Sequence, residues 1–99
     1  VITVFFDANR PGASNIDLYY RVLEAGSLAD MNDTTYTLAT PTATIPINDN
    51  PGVFNEVQYD IDPLGTNVSF GSMQFKIVLR STNTSTVPTV RDFRAIAAT

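Results

Sequence analysis

Ile16-Asp17-Leu18-Tyr19-Tyr20-Arg21-Val22-Leu23-Glu24 is the stretch on which the fold turns. Ile16, Leu18, Tyr20 and Val22 recur at a period of two, which places them on one face of a strand. Asp17, Tyr19, Arg21 and Leu23 face the other way, so that second face is amphipathic. Branched and aromatic side chains suit a pleated, half-buried surface.

The same alternation extends to both sides. Ile2, Val4 and Phe6 share a face in Ile2–Asp7, and Asn9-Arg10-Pro11-Gly12 then signals a turn. Tyr36-Thr37-Leu38 reads as a short strand. Pro41 and Pro46 bracket Thr42–Ile45, and proline removes a ladder donor, so this stretch belongs at an edge or in a loop. Asn48–Gly52 is a turn. Phe54–Ile61 alternates again, with Val57, Tyr59 and Ile61 on one face; Asp62–Gly65 turns the chain. In Ser72–Ser81, Met73, Phe75, Ile77 and Leu79 point inward, and Gln74, Lys76, Val78 and Arg80 point mostly to water. The last strand follows the polar loop Thr82–Thr86 and Val87-Pro88. Its apolar positions, Val90 then Phe93 and Ala95, break strict alternation, which predicts a bulge near Arg91-Asp92. Ser27–Met31 is the one candidate for a turn of helix.

Turn signals separate about six to eight strands, with no helical periods between them, which excludes parallel βαβ units. Strands with one apolar and one polar face suit two packed sheets. The expectation is an all-β antiparallel β-sandwich, jelly-roll-like or Ig-like. Residues 1–99 form one domain, and because Val1–Phe6 already reads as strand without a Met, it is expected to be excised from a larger chain.

Composition narrows the chemistry. An apolar fraction of 43% supplies a core. No apolar run is long enough to span a bilayer, and no signal-peptide pattern is present. The net charge is −4 and the six basic residues are scattered, which argues against nucleic acid. The chain has no Cys and no His, which removes disulfides, thiolate nucleophiles and the usual neutral-pH proton shuttle.

The remaining candidates each have a plain structural explanation. Asp60 and Asp62 could perform acid–base chemistry, but Pro63 and Gly65 mark them as turn acids. Asp60–Gly65 departs from a calcium loop at Leu64 and Gly71, where oxygen ligands belong. Asp30, Asn32 and Asp33, or Asn48, Asp49 and Asn50, could form a looser cation site, yet such clusters usually bond their own backbone. Lys76, the only lysine, is the sole base available to a serine and lies on a polar face. Asn32-Asp33-Thr34, Asn67-Val68-Ser69 and Asn83-Thr84-Ser85 match the glycosylation acceptor. Tyr19, Tyr36 and Phe5 could stack on sugar rings, although Trp is absent. No catalytic, cofactor-binding or metal residue is assigned.

Val87-Pro88-Thr89-Val90-Arg91-Asp92-Phe93-Arg94-Ala95-Ile96-Ala97 resembles the ending of β-sandwich domains in tail and baseplate structural proteins of tailed bacteriophages, notably marine and cyanobacterial myoviruses. Val1–Arg10 followed by Pro11, Asp17–Leu23 and Phe75–Ser81 are similar to strands of the same domains, in the same order; Thr35–Pro51 has no counterpart. The resemblance implies a non-enzymatic structural and assembly domain in the virion tail, baseplate or fibre. It implies other virion proteins as partners and a homo-oligomer, often a trimer, and no catalytic residues. The alternative is a carbohydrate- or receptor-binding sandwich that meets a host surface glycan. A third is an adhesion sandwich with loop calcium.

Overall fold

A computed structural model describes residues 2–24, 26, 28, 30–62, 70–82 and 87–97. Among them six strands form where alternation predicts them: β1 (Ile2–Asn9), β2 (Ser14–Glu24), β3 (Thr37–Leu38), β4 (Asn55–Ile61), β5 (Phe70–Ser81) and β6 (Thr89–Ala97). They make two three-stranded sheets, one in the order β4-β1-β6 and the other in the order β3-β2-β5. All pairings are antiparallel, so the protein is a small antiparallel β-sandwich.

Register decides which side chains meet between the layers. Val4 pairs with Tyr59 and Ala95, Ala8 pairs with Val90, and Phe6 pairs with Val57. In the second sheet Ile16 pairs with Leu79, Leu18 with Ile77, Tyr20 with Phe75 and Val22 with Met73. Directly opposed side chains share a face, so each pairing extends one apolar layer across its sheet. Ile2, Val4, Phe6, Ile16, Leu18, Val57, Tyr59 and Ile61 are all buried in the resulting core.

The bulge expected near Arg91-Asp92 is present. The β1–β6 register runs Phe5↔Arg94 and then Asp7↔Arg91, so two residues of β6 oppose the single residue Phe6. Asp92 takes φ 56, in the left-handed region that Asp tolerates better than most side chains. The extra residue returns Phe93 to the inward face, where its ring lies 6.5 Å from that of Phe6 and 5.5 Å from that of Phe75.

One expectation shifts. The described turn of helix is Met31–Asp33, which shares Met31 with the expected Ser27–Met31 and leaves Leu28 and Asp30 outside it; residues 27 and 29 lie outside the described set. Asp30 explains the placement. Its carboxylate accepts the Asn32 backbone N–H at 3.0 Å, and Thr34 closes the turn by donating Oγ1–H to the Met31 carbonyl. β5 begins at Phe70, two residues before the alternation of Ser72–Ser81; a register irregularity opposite Leu23 and Glu24 absorbs the extension.

The turn between β1 and β2 is tied to residues 45–53. Asn9 is buried, and its Nδ2 lies within 3.2 Å of the carbonyls of Asn48, Asn50 and Val53. Arg10 donates Nε–H to the Ser14 carbonyl at 3.1 Å and Nη1–H to the Ile45 carbonyl at 2.9 Å. Its own carbonyl accepts the Asn48 N–H, and Asp49 accepts the Gly12 N–H. Backbone groups of a loop are thereby satisfied by side chains where no sheet ladder reaches them.

Candidate interaction surface

The two flanks of the sandwich are built differently. On the β3/β4 flank the chain crosses from one sheet to the other. Ala39 N–H bonds to the Leu18 carbonyl at 2.8 Å, and Thr42 N–H bonds to the Gln58 carbonyl at 2.9 Å. Ala39 and Ile45, on this crossing, are buried in the core. The prolines at 41 and 46 keep the segment out of a ladder and leave it free to run between layers.

On the β5/β6 flank the inward face is only part-covered. Phe93 is 44% exposed and Leu79 42% exposed, although both lie on the inward side of their strands. Met73, Phe75, Ile77 and Val90 pack against the core but remain partly buried. Ile96, on the outward face of β6 beside Thr3, is 55% exposed. An apolar band thus runs along this flank.

Among the described residues both strands of the flank have a free edge, since there β5 pairs only with β2 and β6 only with β1. A free edge is a row of unpaired N–H and C=O groups, and charge or a bulge commonly protects it. β6 carries the bulge at Asp92. β5 carries Lys76 and Arg80 and no acid. Together β5 and β6 hold four cations against Asp92, a balance of +3, whereas the whole chain is −4 and the remainder therefore −7.

Magnitudes indicate how such a flank could hold a partner. Completing the burial of a half-exposed Phe or Leu contributes roughly 1 kcal/mol, half the value of full burial. Two or three such gains fall short of the ~4–15 kcal/mol that association costs. A backbone ladder at about 0.5–1.5 kcal/mol for each hydrogen bond supplies the rest. Apolar contact combined with strand pairing is therefore the binding mode suited to this geometry.

Tyr19 and Tyr36, candidates for sugar stacking, come together on the outer face of the β3-β2-β5 sheet. Lys76 Nζ lies 5.1 Å from the Tyr19 ring centroid and 4.3 Å from that of Tyr36. The Arg21 guanidinium lies 4.4 Å from the Tyr36 centroid, is anchored on Gln74 Oε1 and reaches Asn32 Oδ1 at 3.4 Å. These cations occupy the ring faces that a sugar would need. Phe5 sits on the opposite outer face, 5.5 Å from the Arg94 guanidinium, which also pairs with Glu56 at 3.1 Å.

The acidic and amide clusters bond their surroundings. Asp60 accepts from Thr3 and Gln58 across its sheet face; Asp62 is exposed beyond the end of β4. Both line a shallow groove of about 270 Å³ with Tyr20, Leu38 and Ala39. Asn48 accepts the Asn50 N–H, Asn50 accepts the Gly52 N–H, and Asp49 accepts the Gly12 N–H. Among the described residues no three His, Cys, Asp or Glu side chains gather as a metal site would require. Of the glycosylation acceptors, Asn32 is exposed within the helical turn; 67–69 and 83–85 lie outside the described residues.

A displaced titration lies in the core. Burial, reinforced by the Asp17 carboxylate, pushes the Tyr59 phenol up from 10.0 to about 12. That ring lies 5.7 Å from Phe6, so Tyr59 is a packing residue. Sequence reasoning placed Phe93 and Leu79 correctly on an inward face but did not reveal their exposure. It also missed Asn9 and Arg10, whose only signal was their position ahead of Pro11-Gly12. No protein-family model, curated protein or solved structure matches the chain.

Proposed function

We propose that this chain is a non-enzymatic structural and assembly domain of a tailed-bacteriophage virion, in the tail, baseplate or fibre. Its work is to be rigid and to join other virion proteins, including further copies of itself in a symmetric oligomer such as a trimer. The observation that carries this reading is the part-covered apolar flank along β5 and β6, where Phe93 and Leu79 are more than two-fifths exposed. Exposed apolar side chains beside strand edges are what a docking surface needs. The sequence of the closing strand, Val87–Ala97, supports the same reading through its likeness to phage sandwich domains.

The glycan alternative is weaker, because cations already cover the rings of Tyr19 and Tyr36. A glycan array separates the two readings. The direct test is mass spectrometry of particles purified through a density gradient, combined with labelling by antibody against the domain. Peptides of this chain at stoichiometric yield and label at the tail are expected. Their absence from the particle sinks the proposal.

A further inference from the structure

We infer that the β5/β6 flank takes an additional β-strand from a different chain: an extended segment whose side chains alternate between apolar and acidic, laid along the free edge of β5. The inference rests on the assembly reading and specifies the partner's chemistry.

β5 is the better of the two edges. It is the longest strand, and its irregularity lies at the Phe70 end, which leaves Ser72–Ser81 in regular register with β2. β6 is interrupted near its middle by the left-handed residue Asp92. A strand beside β5 would continue the apolar layer of Met73, Phe75, Ile77 and Leu79, with Phe93 facing it from the other sheet.

The outward face determines the sign of charge. Gln74, Lys76, Val78 and Arg80 alternate with those apolar residues. Lys76 rests on two tyrosine rings and has no carboxylate partner among the described residues. Arg80 pairs with Asp17 on β2, and its side chain is still 59% exposed. Opposite charges across a strand pair are favourable and like charges directly opposed are not, so acidic side chains belong beside Lys76 and Arg80.

A second copy of the chain fits this edge poorly. Two copies joined β5 to β5 would bring the same cations together. The one described strand with the matching alternation is β4, with Val57, Tyr59 and Ile61 against Glu56, Gln58 and Asp60. Its outer edge is already engaged at the Gln58 carbonyl by Thr42 N–H.

The test uses the 99-residue chain, isotopically labelled, with two ten-residue synthetic peptides at pH 7. One alternates isoleucine with glutamate and the other isoleucine with lysine. Expected are binding of the glutamate peptide, slowed exchange at alternate amides along Ser72–Ser81, and at least tenfold weaker binding of the lysine peptide. K76E should weaken the glutamate peptide at least fivefold while the amide spectrum shows the fold retained, and K76M should fall between. Equal binding of both peptides, binding of neither, protection confined to β4 or β6, or a free chain already dimeric through β5 would each overturn the inference. None of those outcomes bears on whether the chain is found in virus particles, so the two proposals fail separately.

Discussion

Phe93 lies 6.5 Å from Phe6 with the rings nearly parallel, yet Phe6 is wholly buried and Phe93 is 44% exposed. The contact spans the boundary between the core and the open flank. Phe6→Ala is expected to cost ~3–5 kcal/mol, since it opens a cavity at the centre of the sandwich. Phe93→Ala should cost about 1 kcal/mol and reduce self-association or adhesion. Urea unfolding of both variants with sedimentation velocity checks this; equal losses of stability would show that the flank is core.

Asn9 offers two amide hydrogens to three carbonyls, so Asn9→Ala leaves part-buried acceptors short of donors. A loss of about 1–3 kcal/mol is expected. Amide exchange should quicken in residues 45–53 before it does in β1. A uniform change across the domain would contradict the tether assigned to Asn9.

Asp92 and Ala13 have φ 56 and 65, where a side chain costs roughly 1–2 kcal/mol relative to glycine. Ala13→Gly should therefore raise the melting temperature, since its carbonyl keeps the Thr82 N–H. Asp92→Gly should be neutral or stabilising, and Asp92→Val should destabilise by at least ~1 kcal/mol, because branched residues are true outliers in this region. Thermal melts of the three variants decide it.

The phenol of Tyr59 has a folded pKa of about 12, above the unfolded value of 10.0. The folded state holds the proton more tightly, so the associated stability is complete below pH 10 and declines as pH rises towards 12. The decline approaches about 3 kcal/mol over those two pH steps. Tyr59→Phe should flatten this alkaline slope relative to wild type in urea titrations. A parallel slope in both proteins would assign the loss to other groups.

Calcium and chelator should leave the melting temperature unchanged, because a ligand of the folded state alone must raise it. The carboxylates of Asp30 and Asp49 are already held by backbone N–H groups. A clear rise at millimolar calcium would reopen the loop-site reading.

Period-two alternation made β1, β2, β4 and β5 legible, because burial on one face leaves a local mark on the chain. The bulge was legible for the same reason, as the odd step from Val90 to Phe93. Partner choice was not, since nothing local to Ile2–Asn9 says that its neighbours are β4 and β6. Pro41 and Pro46 showed that the segment between them leaves the ladder, but not that it seals a flank. The exposure of Phe93 and Leu79 depends on what lies opposite them, which a single strand's pattern does not encode. The helical turn at Met31–Asp33 follows from Asp30, whose side chain caps it.

The pairing of β1 with β6 has a kinetic consequence. Among the described strands β1 completes its ladder with β6, 80 or more residues later in the chain, and β2 must wait for β5. Among the described pairings the short β2–β3 pair joins the strands nearest in sequence and can close first. Loop-closure entropy must be overcome before these distant pairings stabilise anything, so refolding is expected on the millisecond-to-second scale of high-contact-order β proteins. Until β6 arrives, the apolar face of β1 lacks one neighbour, and that interval is when the nascent chain is most open to capture by another molecule.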